Sequence, residues 1–241
     1  MTMIIPMAGL SQRFYNAGYT QPKYMLPLWG ENVFYYVMES FKRYFKDWKF
    51  VFVFREIYQT ASFIAQTCKK LGLENYLLVE LPNPTLGQAH TAMLGLQRVN
   101  LSDYESLFVF NIDTFRPHFA LPQELDFTKI DGYLEVFEGE GEQWSFVVPN
   151  AENKVIQTTE KERVSNLCSS GLYYFKNTEY FKEIFTQMQQ KQDFTRNEFY
   201  IAPMYNYLIA QDKDVRFHKI TSEEIVFCGT PREYEKLKEK K

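Results

Sequence analysis

The sequence predicts an α/β fold with a mixed, mainly parallel central sheet, and three features of the 241-residue chain support this prediction. Short apolar runs alternate with segments of helical periodicity over the first half. These runs lack polar alternation, as is typical of parallel strands that are covered on both faces. The second half contains consecutive strand-like segments without intervening helices, which indicate a sheet on the substrate side.

The first half predicts a regular alternation of strands and helices. Apolar side chains recur at 33, 34, 37, 38, 41, 44 and 45, which places them on one face of a helix. Gly72 follows the next predicted helix, at 57–71, and marks its end. In order, we predict a strand at 3–7, a helix at 33–46, a strand at 49–54, a helix at 57–71, a strand at 76–80, a helix at 88–98 and a strand at 107–110. Strands joined in this way pair in parallel through right-handed crossovers.

The second half begins with strands that are joined by turns such as the one at residues 150–153. Thr230 is a suitable cap for a last helix that starts at about Pro231. The predicted elements before it are strands at 132–138, 145–148, 155–159 and 171–175, helices at 178–190 and 199–210, and a strand at 215–220.

Three loops follow parallel strands, at residues 9–23, 82–87 and 111–113. In sheets of this kind, ligands bind beyond the carboxyl ends of the strands. The first loop contains Gly9, Gly18, Arg13 and Lys23. Glycine lets backbone amides approach an anion closely, and the two cations can neutralise its charge. The loop therefore indicates a phosphate-bearing ligand.

Composition narrows the class of protein. The length fits one domain over residues 1–241. The net charge of -3 and the pI near 5.8 argue against nucleic acid as a partner. Because no apolar run is long enough to cross a bilayer and the start lacks a secretory signal, we expect no membrane partner and a cytoplasmic location.

The cysteines and aromatic residues say less about function. Cys68, Cys168 and Cys228 are odd in number and lack a Cys-x-x-Cys spacing, so they predict core thiols rather than a disulfide framework or a zinc site. The aromatic fraction of 17% fits either a thick hydrophobic core or a subunit interface, which leaves a homodimer open.

The first loop carries the clearest family resemblance. It reads Ile-Pro-Met-Ala-Gly-Leu over residues 5–10, continues with Arg13-Phe14 and reaches Pro22-Lys23. This run resembles the signature of sugar-phosphate nucleotidyltransferases, the nucleoside-diphosphate-sugar pyrophosphorylases, and especially of bacterial forms from capsule and surface-polysaccharide pathways. The resemblance implies a three-layer Rossmann-like (GT-A-like) fold. It also implies a nucleotide-binding half at 1–115 and an acceptor-binding half at 116–241.

The resemblance assigns roles to residues of this loop. In the family the arginine contacts the leaving pyrophosphate and the lysine contacts the nucleoside triphosphate, which implies catalytic roles for Arg13 and Lys23. The family usually has a second glycine where this chain has Ser11, and a serine or threonine where it has Gln12. The residues implied to bind the nucleotide here are Ala8, Gly9, Leu10, Ser11 and Gln12.

Asp113 is the candidate metal ligand. It follows an apolar strand at the ligand edge, where a carboxylate can hold magnesium together with phosphates and water. A turn-capping role is an equal alternative on position alone. The sequence Asn-Ile-Asp-Thr at 111–114 resembles the family motif whose aspartate binds Mg²⁺.

The second metal ligand of the family is missing. It is most often an aspartate just before a late Gly-Thr, and here Phe227 and Cys228 precede Gly229-Thr230. Three interpretations remain open. Asp113 holds magnesium largely with triphosphate oxygens, Glu223 or Glu224 reaches in from a shifted register, or activity is weak or lost.

Two further segments resemble family motifs. Residues 84–91 resemble the loop that recognises the nucleobase, which implies nucleotide contacts for Gly87 and Gln88, with Asn111 beside them. Without the resemblance, Gly87 simply begins a helix. Glu160-Lys161 resembles a pair that contacts the sugar and the acceptor phosphate, although such a pair is usually solvated. The remaining candidates for acceptor binding are Trp144 and Gly171.

These observations predict an Mg²⁺-dependent nucleotidyltransferase. It transfers a nucleoside monophosphate from a triphosphate to a phosphorylated acceptor and releases pyrophosphate, for capsule or surface polysaccharide. The base stays open, and so does the acceptor, which is a sugar phosphate, a phosphorylated polyol, an amino sugar or a phosphorylated non-sugar such as a phosphocholine-like or phosphoamide compound. One rival is a glycosyltransferase of related fold, which lacks the Arg13 and Lys23 loop. The other is a binding or regulatory protein of this fold that has lost catalysis.

Overall fold

The computed structural model describes residues 1–240 and confirms the predicted fold class, with a central nine-stranded sheet between two helical layers. The strands are β1 (Thr2–Pro6), β2 (Pro27–Leu28), β3 (Glu31–Asn32), β4 (Lys49–Phe54), β5 (Tyr76–Glu80), β6 (Leu107–Phe110), β7 (Thr114–Phe115), β8 (Gly132–Glu138), β9 (Ser145–Pro149), β10 (Val155–Glu160), β11 (Leu167–Phe175), β12 (Val215–Ile220) and β13 (Val226–Phe227). The α-helices are α1 (Gln12–Asn16), α2 (Val33–Glu39), α3 (Thr60–Leu71), α4 (Gln88–Arg98), α5 (Thr178–Lys191), α6 (Met204–Ile209) and α7 (Pro231–Glu239).

The centre of the sheet is parallel. Strand β1 lies between β4 and β6, and its Ile4 pairs with Val51 on one side and Val109 on the other. The path runs β10-β9-β11-β6-β1-β4-β5, and β8 and β12 branch from β11. Strand β11 is antiparallel to β6, so the second half of the chain makes the sheet mixed, as predicted.

The strand side chains alternate between two separate cores. Met3, Ile5 and Phe52 pack in the core that also takes up residues of α2, α3 and α7. Ile4 and Val53 point into the other core, with residues of α4, α5 and α6. Because both faces are covered, the central strands need no polar positions, which explains their uninterrupted apolar runs.

Several predicted boundaries were wrong, for local reasons. The predicted helix at 33–46 ends at Glu39, because the Ser40 hydroxyl donates to the Tyr36 carbonyl and accepts from the Arg116 amide. The helix predicted at 57–71 starts at Thr60, since the two residues before it have positive φ. The helix predicted at 199–210 is shorter (α6), and the strand predicted at 171–175 is longer (β11).

The helices are short relative to a bilayer. A spanning helix needs about 20 apolar residues. Helix α5 has 14 residues, and no helix within residues 1–240 combines the length and the apolar character that spanning would need.

The three cysteines are buried and free, as expected for core thiols. Burial raises the pKa of Cys68 and of Cys228 to about 12 and the pKa of Cys168 to about 11. Since the thiolate is the reactive form, we expect the native protein to resist a disulfide reagent at pH 8 and the denatured protein to react at all three thiols. A spectrophotometric thiol titration measures this, and one rapidly reacting thiol in the native protein would contradict it.

Candidate functional site

Two adjoining cavities open at the carboxyl ends of β1 and β6. The larger cavity has a volume of about 540 Å³ and the smaller cavity about 270 Å³. The larger one is lined by the sequence-predicted residues Ala8, Gly9, Leu10, Ser11, Gln12, Arg13, Lys23, Gly87, Gln88, Asn111 and Asp113. The smaller one is lined by Trp144, Glu160, Lys161 and Gly171. Both cavities are lined by Arg13, Gln88, Asn111 and Asp113. Taken together, the two cavities contain every predicted site residue.

The loop after β1 is held in a compact form by its own backbone. Ser11 has a φ of 51°, a left-handed conformation that glycine adopts more easily, and α1 begins directly after it. Its hydroxyl accepts a hydrogen bond from the Lys23 amide at 3.3 Å, which closes the loop. Phe14 is buried and anchors α1 to the core. Ser11 therefore fits this loop in a left-handed conformation and stabilises it through the Lys23 amide.

Two cations of this loop differ in their partners. The Lys23 ammonium lies 2.5 Å from the Asp113 carboxylate, and both side chains are about one-fifth exposed, at 23% and 20%. Arg13 has neither a hydrogen-bond partner for its guanidinium nor an ion pair within residues 1–240. Its guanidinium is therefore available for a ligand, and planar guanidinium groups suit phosphate oxygens.

The late Gly-Thr segment packs directly on Asp113. The Cys228 amide donates to the Asp113 carbonyl at 2.8 Å. A Cβ on Gly229 would lie 2.8 Å from Asp113 Oδ2, so a larger residue there would displace the Asp113 carboxylate. Glu233 approaches the same glycine and accepts from the Gly229 and Thr230 amides at 2.9 Å. Helix α7 therefore begins against the carboxylate at the end of β6.

The carboxylates near Asp113 limit how a metal can be held. Glu224 binds Thr221 in a capping box and lies 4.0 Å from Arg116, so it does not supply the missing ligand. Within residues 1–240, no group of three or more His, Cys, Asp or Glu side chains is arranged to hold a metal. Asp113 alone fits the requirement of Mg²⁺, which is commonly bound by one or two carboxylates and completed by substrate phosphates and water.

A polar bridge connects the two cavities. The Gln88 side-chain amide donates to the Asn111 side-chain carbonyl. Gly171 has a φ of 92°, and the Asn111 side chain occupies the position that a Cβ on Gly171 would take. The irregular pairing of β11 around Gly171 therefore makes room for Asn111 at the junction.

Glu160 and Lys161 form a buried pair at the end of β10. Their charged groups lie 3.7 Å apart, and the Glu160 side chain is only 4% exposed. The Ser145 hydroxyl donates to Glu160, and the Lys161 ammonium lies 3.9 Å from the centre of the Tyr200 ring. Burial raises the pKa of Glu160 and lowers the pKa of Lys161. This is not a solvated surface pair, since both groups face a cavity.

Trp144 and Phe227 form what we call the aromatic wall of the smaller cavity. Their ring centres are 4.8 Å apart at an angle of 48°. The Trp144 indole N–H donates to the Glu140 carbonyl at 2.9 Å, so the ring presents no free donor to the cavity. Phe137 packs behind both rings. Phe227 thus contributes an apolar surface to this cavity, just before the Gly229-Thr230 segment.

Comparison with solved structures identifies the family. No protein-family model matches the chain, and no curated protein matches it. A crystal structure of a nucleoside-diphosphate-sugar pyrophosphorylase from Vibrio cholerae RC9 is 44% identical, with a TM-score of 0.93, and the match covers 99% of this chain and 100% of that one. The chain belongs to the nucleoside-diphosphate-sugar pyrophosphorylase family.

More distant structures show the same fold. An inositol-1-phosphate CTP transferase from T. maritima has a TM-score of 0.72 at 18% identity, over 99% of this chain and 94% of that one. A UDP-glucose pyrophosphorylase complexed with UDP-glucose has a TM-score of 0.72 at 15% identity, over 99% of this chain and 97% of that one. The fold of this pyrophosphorylase family member is thus shared by these two more distant structures.

Gly87 of this pyrophosphorylase family member is required by close backbone packing. Its φ is 99°, and a Cβ would lie 2.7 Å from the Phe199 carbonyl oxygen. The Phe199 amide donates to the Leu86 carbonyl at 2.8 Å, and its carbonyl accepts from the Ala89 amide at 3.0 Å. The loop at 82–87 and the segment before α6 are therefore locked together.

Substituting Gly87→Ala is expected to destabilise the protein by about 1–3 kcal/mol, because alanine is strained at this φ and meets backbone atoms that cannot move aside. Denaturant unfolding measures the loss. Gly18→Ala is the matched control, since Gly18 also has positive φ, 89°, but nothing lies within 4 Å of its Cβ position. Equal losses in the two variants would contradict the role of packing against Phe199.

Several lining residues of the family member escaped the sequence analysis, among them two charged residues of the smaller cavity. Arg196 and Glu233 both line the smaller cavity. Glu233 has a recognisable signal, since it stands three residues after Thr230 and completes a capping box. Arg196 lies in the segment before α6 at a φ of 50°, and nothing in the sequence around it indicates a site.

Proposed function

We propose that this protein transfers a nucleoside monophosphate from a nucleoside triphosphate to a phosphorylated small molecule, with sugar phosphates as the expected class, and releases pyrophosphate. The observation that carries the proposal is the meeting of two cavities at Arg13, Asn111 and Asp113. A triphosphate in the larger cavity would present its α-phosphorus at this junction. A phosphorylated acceptor in the smaller cavity would face it.

The proposed reaction needs no protein nucleophile. An oxygen of the acceptor phosphate attacks the α-phosphorus in line, and a new phosphorus–oxygen bond forms. The bond between the α-phosphorus and the oxygen bridging to the β-phosphorus breaks, and its electron pair leaves with pyrophosphate. Catalysis then consists of orientation and charge stabilisation. Arg13 binds the leaving pyrophosphate, Lys23 the triphosphate and Lys161 the acceptor phosphate.

Asp113 is the residue that would hold Mg²⁺. When bound, the metal supplies positive charge to the phosphate oxygens. The pairing of Lys23 with Asp113 implies an exchange of partners, in which the Lys23 ammonium moves to the triphosphate as it binds. The Gly9 loop supplies backbone amides to the phosphates, and Gln88 and Asn111 contact the nucleotide. Glu160, Trp144 and Gly171 shape the acceptor side.

The wider role follows from the class of product. Activated sugars and related conjugates are precursors of surface polysaccharides, so we propose a role in capsule or surface-polysaccharide synthesis within the cytoplasm and assembly as a homodimer. The net charge of -3 supports small phosphorylated molecules rather than nucleic acid as partners. We propose neither a nucleic acid nor a membrane as a partner of this protein.

Pyrophosphate release tests the proposal. Each nucleoside triphosphate is combined with Mg²⁺ and a panel of phosphorylated acceptors, and the assay is repeated with a chelator and with Lys23→Ala. We expect release that needs one triphosphate and one acceptor and that is lost in both repeats. Binding of a triphosphate without release for any acceptor would contradict the proposal and favour a catalytically degenerate binding protein, with Phe227 in place of a carboxylate as the reason.

A further inference from the structure

Asp113 lies between the end of β6 and a separate two-stranded ladder. The ladder pairs Thr114–Phe115 with Val226–Phe227 in antiparallel register. One more hydrogen bond extends it to the candidate metal ligand, from the Cys228 amide to the Asp113 carbonyl. A pair of strands as short as these is at best marginally stable by itself. The position of Asp113 therefore depends on what holds the ladder.

The ladder separates two cavities. Thr114 and Phe227 line the smaller cavity of the candidate site. Phe115 and Val226 line a further cavity, of about 730 Å³, on the opposite face. Since successive side chains of a strand point to opposite faces, each face of the ladder borders open space. Close packing therefore constrains the ladder less than it constrains the central strands, which are covered on both sides.

Arg116 anchors the end of the ladder that is remote from Asp113. Its side chain is only 3% exposed, and its guanidinium donates to both carboxylate oxygens of Glu135 in β8. The same guanidinium donates to the Glu224 carbonyl at 2.5 Å, in the turn that precedes β13. The Arg116 backbone amide, directly after β7, donates to the Ser40 hydroxyl at 2.9 Å. One residue thus ties both strands of the ladder to the central sheet.

The Asp113 carboxylate relies on this ladder when a triphosphate binds. In the free protein the Lys23 ammonium holds the carboxylate at 2.5 Å. In the proposed reaction Lys23 moves to the triphosphate. The contacts that persist include those with the segment that continues β13, namely the Cys228 amide and the close approach of Gly229. A shift of that segment would turn the carboxylate away from a bound metal.

We infer that Arg116 is a positioning residue, which holds the ladder of β7 and β13 through Glu135 and Glu224 and so keeps Asp113 oriented for the metal. The inference rests on the proposed function, in which Asp113 would hold Mg²⁺. Residues that orient a metal ligand from outside its coordination shell contribute about 10–100-fold to metal affinity or activity. The buried ion pair therefore has a second role besides stability, and its removal weakens metal binding even where the fold stays intact.

The double variant Arg116→Met with Glu135→Leu separates the two roles, because it removes both buried charges and leaves neither unpaired. We expect its Tm to stay within about 4 °C of the wild-type value. Metal affinity is measured by electron paramagnetic resonance, with Mn²⁺ in place of Mg²⁺ and a non-hydrolysable triphosphate analogue present. After correction for Mn²⁺ bound by the analogue alone, we expect binding about tenfold weaker than in the wild type.

Arg216→Met is the matched control, because Arg216 makes the same kinds of contact away from Asp113. It donates to the two carboxylate oxygens of Asp214 at 2.6 Å and 3.2 Å, and to the Glu152 carbonyl at 3.1 Å. It lies in β12 beside the first residues of β8. We expect this variant to bind Mn²⁺ as the wild type does.

Arg116→Lys is a second variant in case the double variant does not fold. Lysine keeps the charge beside Glu135 but lacks the planar fork that reaches the Glu224 carbonyl as well, so we expect the same loss of Mn²⁺ affinity. Wild-type affinity in a folded variant would show that Arg116 only stabilises the protein and would overturn the inference. So would a wild type that binds no Mn²⁺ with the analogue. Mn²⁺ binding that depends on Arg116, without pyrophosphate release from any acceptor, would uphold the inference and refute the proposed function.

Discussion

Replacing Asp113 by asparagine is expected to lower kcat/KM for pyrophosphate release about a thousandfold, because one charged group at a phosphoryl-transfer centre contributes about 10²–10³ or more. Asparagine keeps the size of the side chain but removes the charge that pairs with Lys23 at 2.5 Å and would hold Mg²⁺. The measurement is steady-state kinetics with the preferred triphosphate and acceptor. The fold should persist, since Asp113 is held through its backbone carbonyl by Cys228.

The control for this variant is Asp212→Asn, the same chemical change between α6 and β12. Asp212 is exposed and has a φ of 56°, a conformation that asparagine tolerates. It is expected to keep normal kinetics. If Asp113→Asn retained more than about a tenth of the activity, a loss of only 1.4 kcal/mol in transition-state stabilisation, Asp113 would not be the metal ligand.

Glu135→Gln is expected to lower the free energy of unfolding by about 3–5 kcal/mol, because it leaves the Arg116 charge buried without its partner. Arg116 donates to both oxygens of Glu135, at 2.6 Å and 2.8 Å, and the two side chains are only 3% and 1% exposed. Denaturant unfolding measures the loss. In a thermal scan it corresponds to a fall in Tm of about 2–4 °C per kcal/mol.

The matched control lies on the same strand. Glu138 pairs with Lys219 at 3.1 Å, but the two side chains are 66% and 54% exposed. Glu138→Gln is expected to cost about 1 kcal/mol or less. The double variant Arg116→Met with Glu135→Leu should recover most of the loss, since it removes both charges. A single-variant loss similar to that of the control would show that water reaches the Arg116 site.

The sequence predicted the central sheet well because its signal is local. The apolar runs of β4 and β6 reflect burial on both faces, and each lies within one element. The two-residue strands β7 and β13 were not predicted, because they exist only through pairing with each other across more than a hundred residues. The Arg116–Glu135 pair was missed for a similar reason. Charged residues near strands normally indicate exposure, and only the tertiary structure shows this pair to be buried.

The site was predictable where its residues belong to a motif. Arg13, Lys23 and Asp113 were named from their resemblance to family motifs, and they line one cavity. Arg196 and Glu233 also line the smaller cavity. The capping box marks Glu233 as part of a helix start but not as part of a site, and no local pattern marks Arg196. The structure also explains why residue 87 is a glycine, since a Cβ there would meet the Phe199 backbone. Hydrophobic periodicity carries no information about such a contact.

Mass spectrometry of the products formed from an acceptor with heavy-oxygen-labelled phosphate tests the central claim most directly. If the acceptor phosphate attacks the α-phosphorus at the junction of the two cavities, all of the label will appear in the nucleotide conjugate and none in the pyrophosphate. Formation of free nucleoside monophosphate with an unchanged labelled acceptor would show that water is the attacking group and would contradict the account.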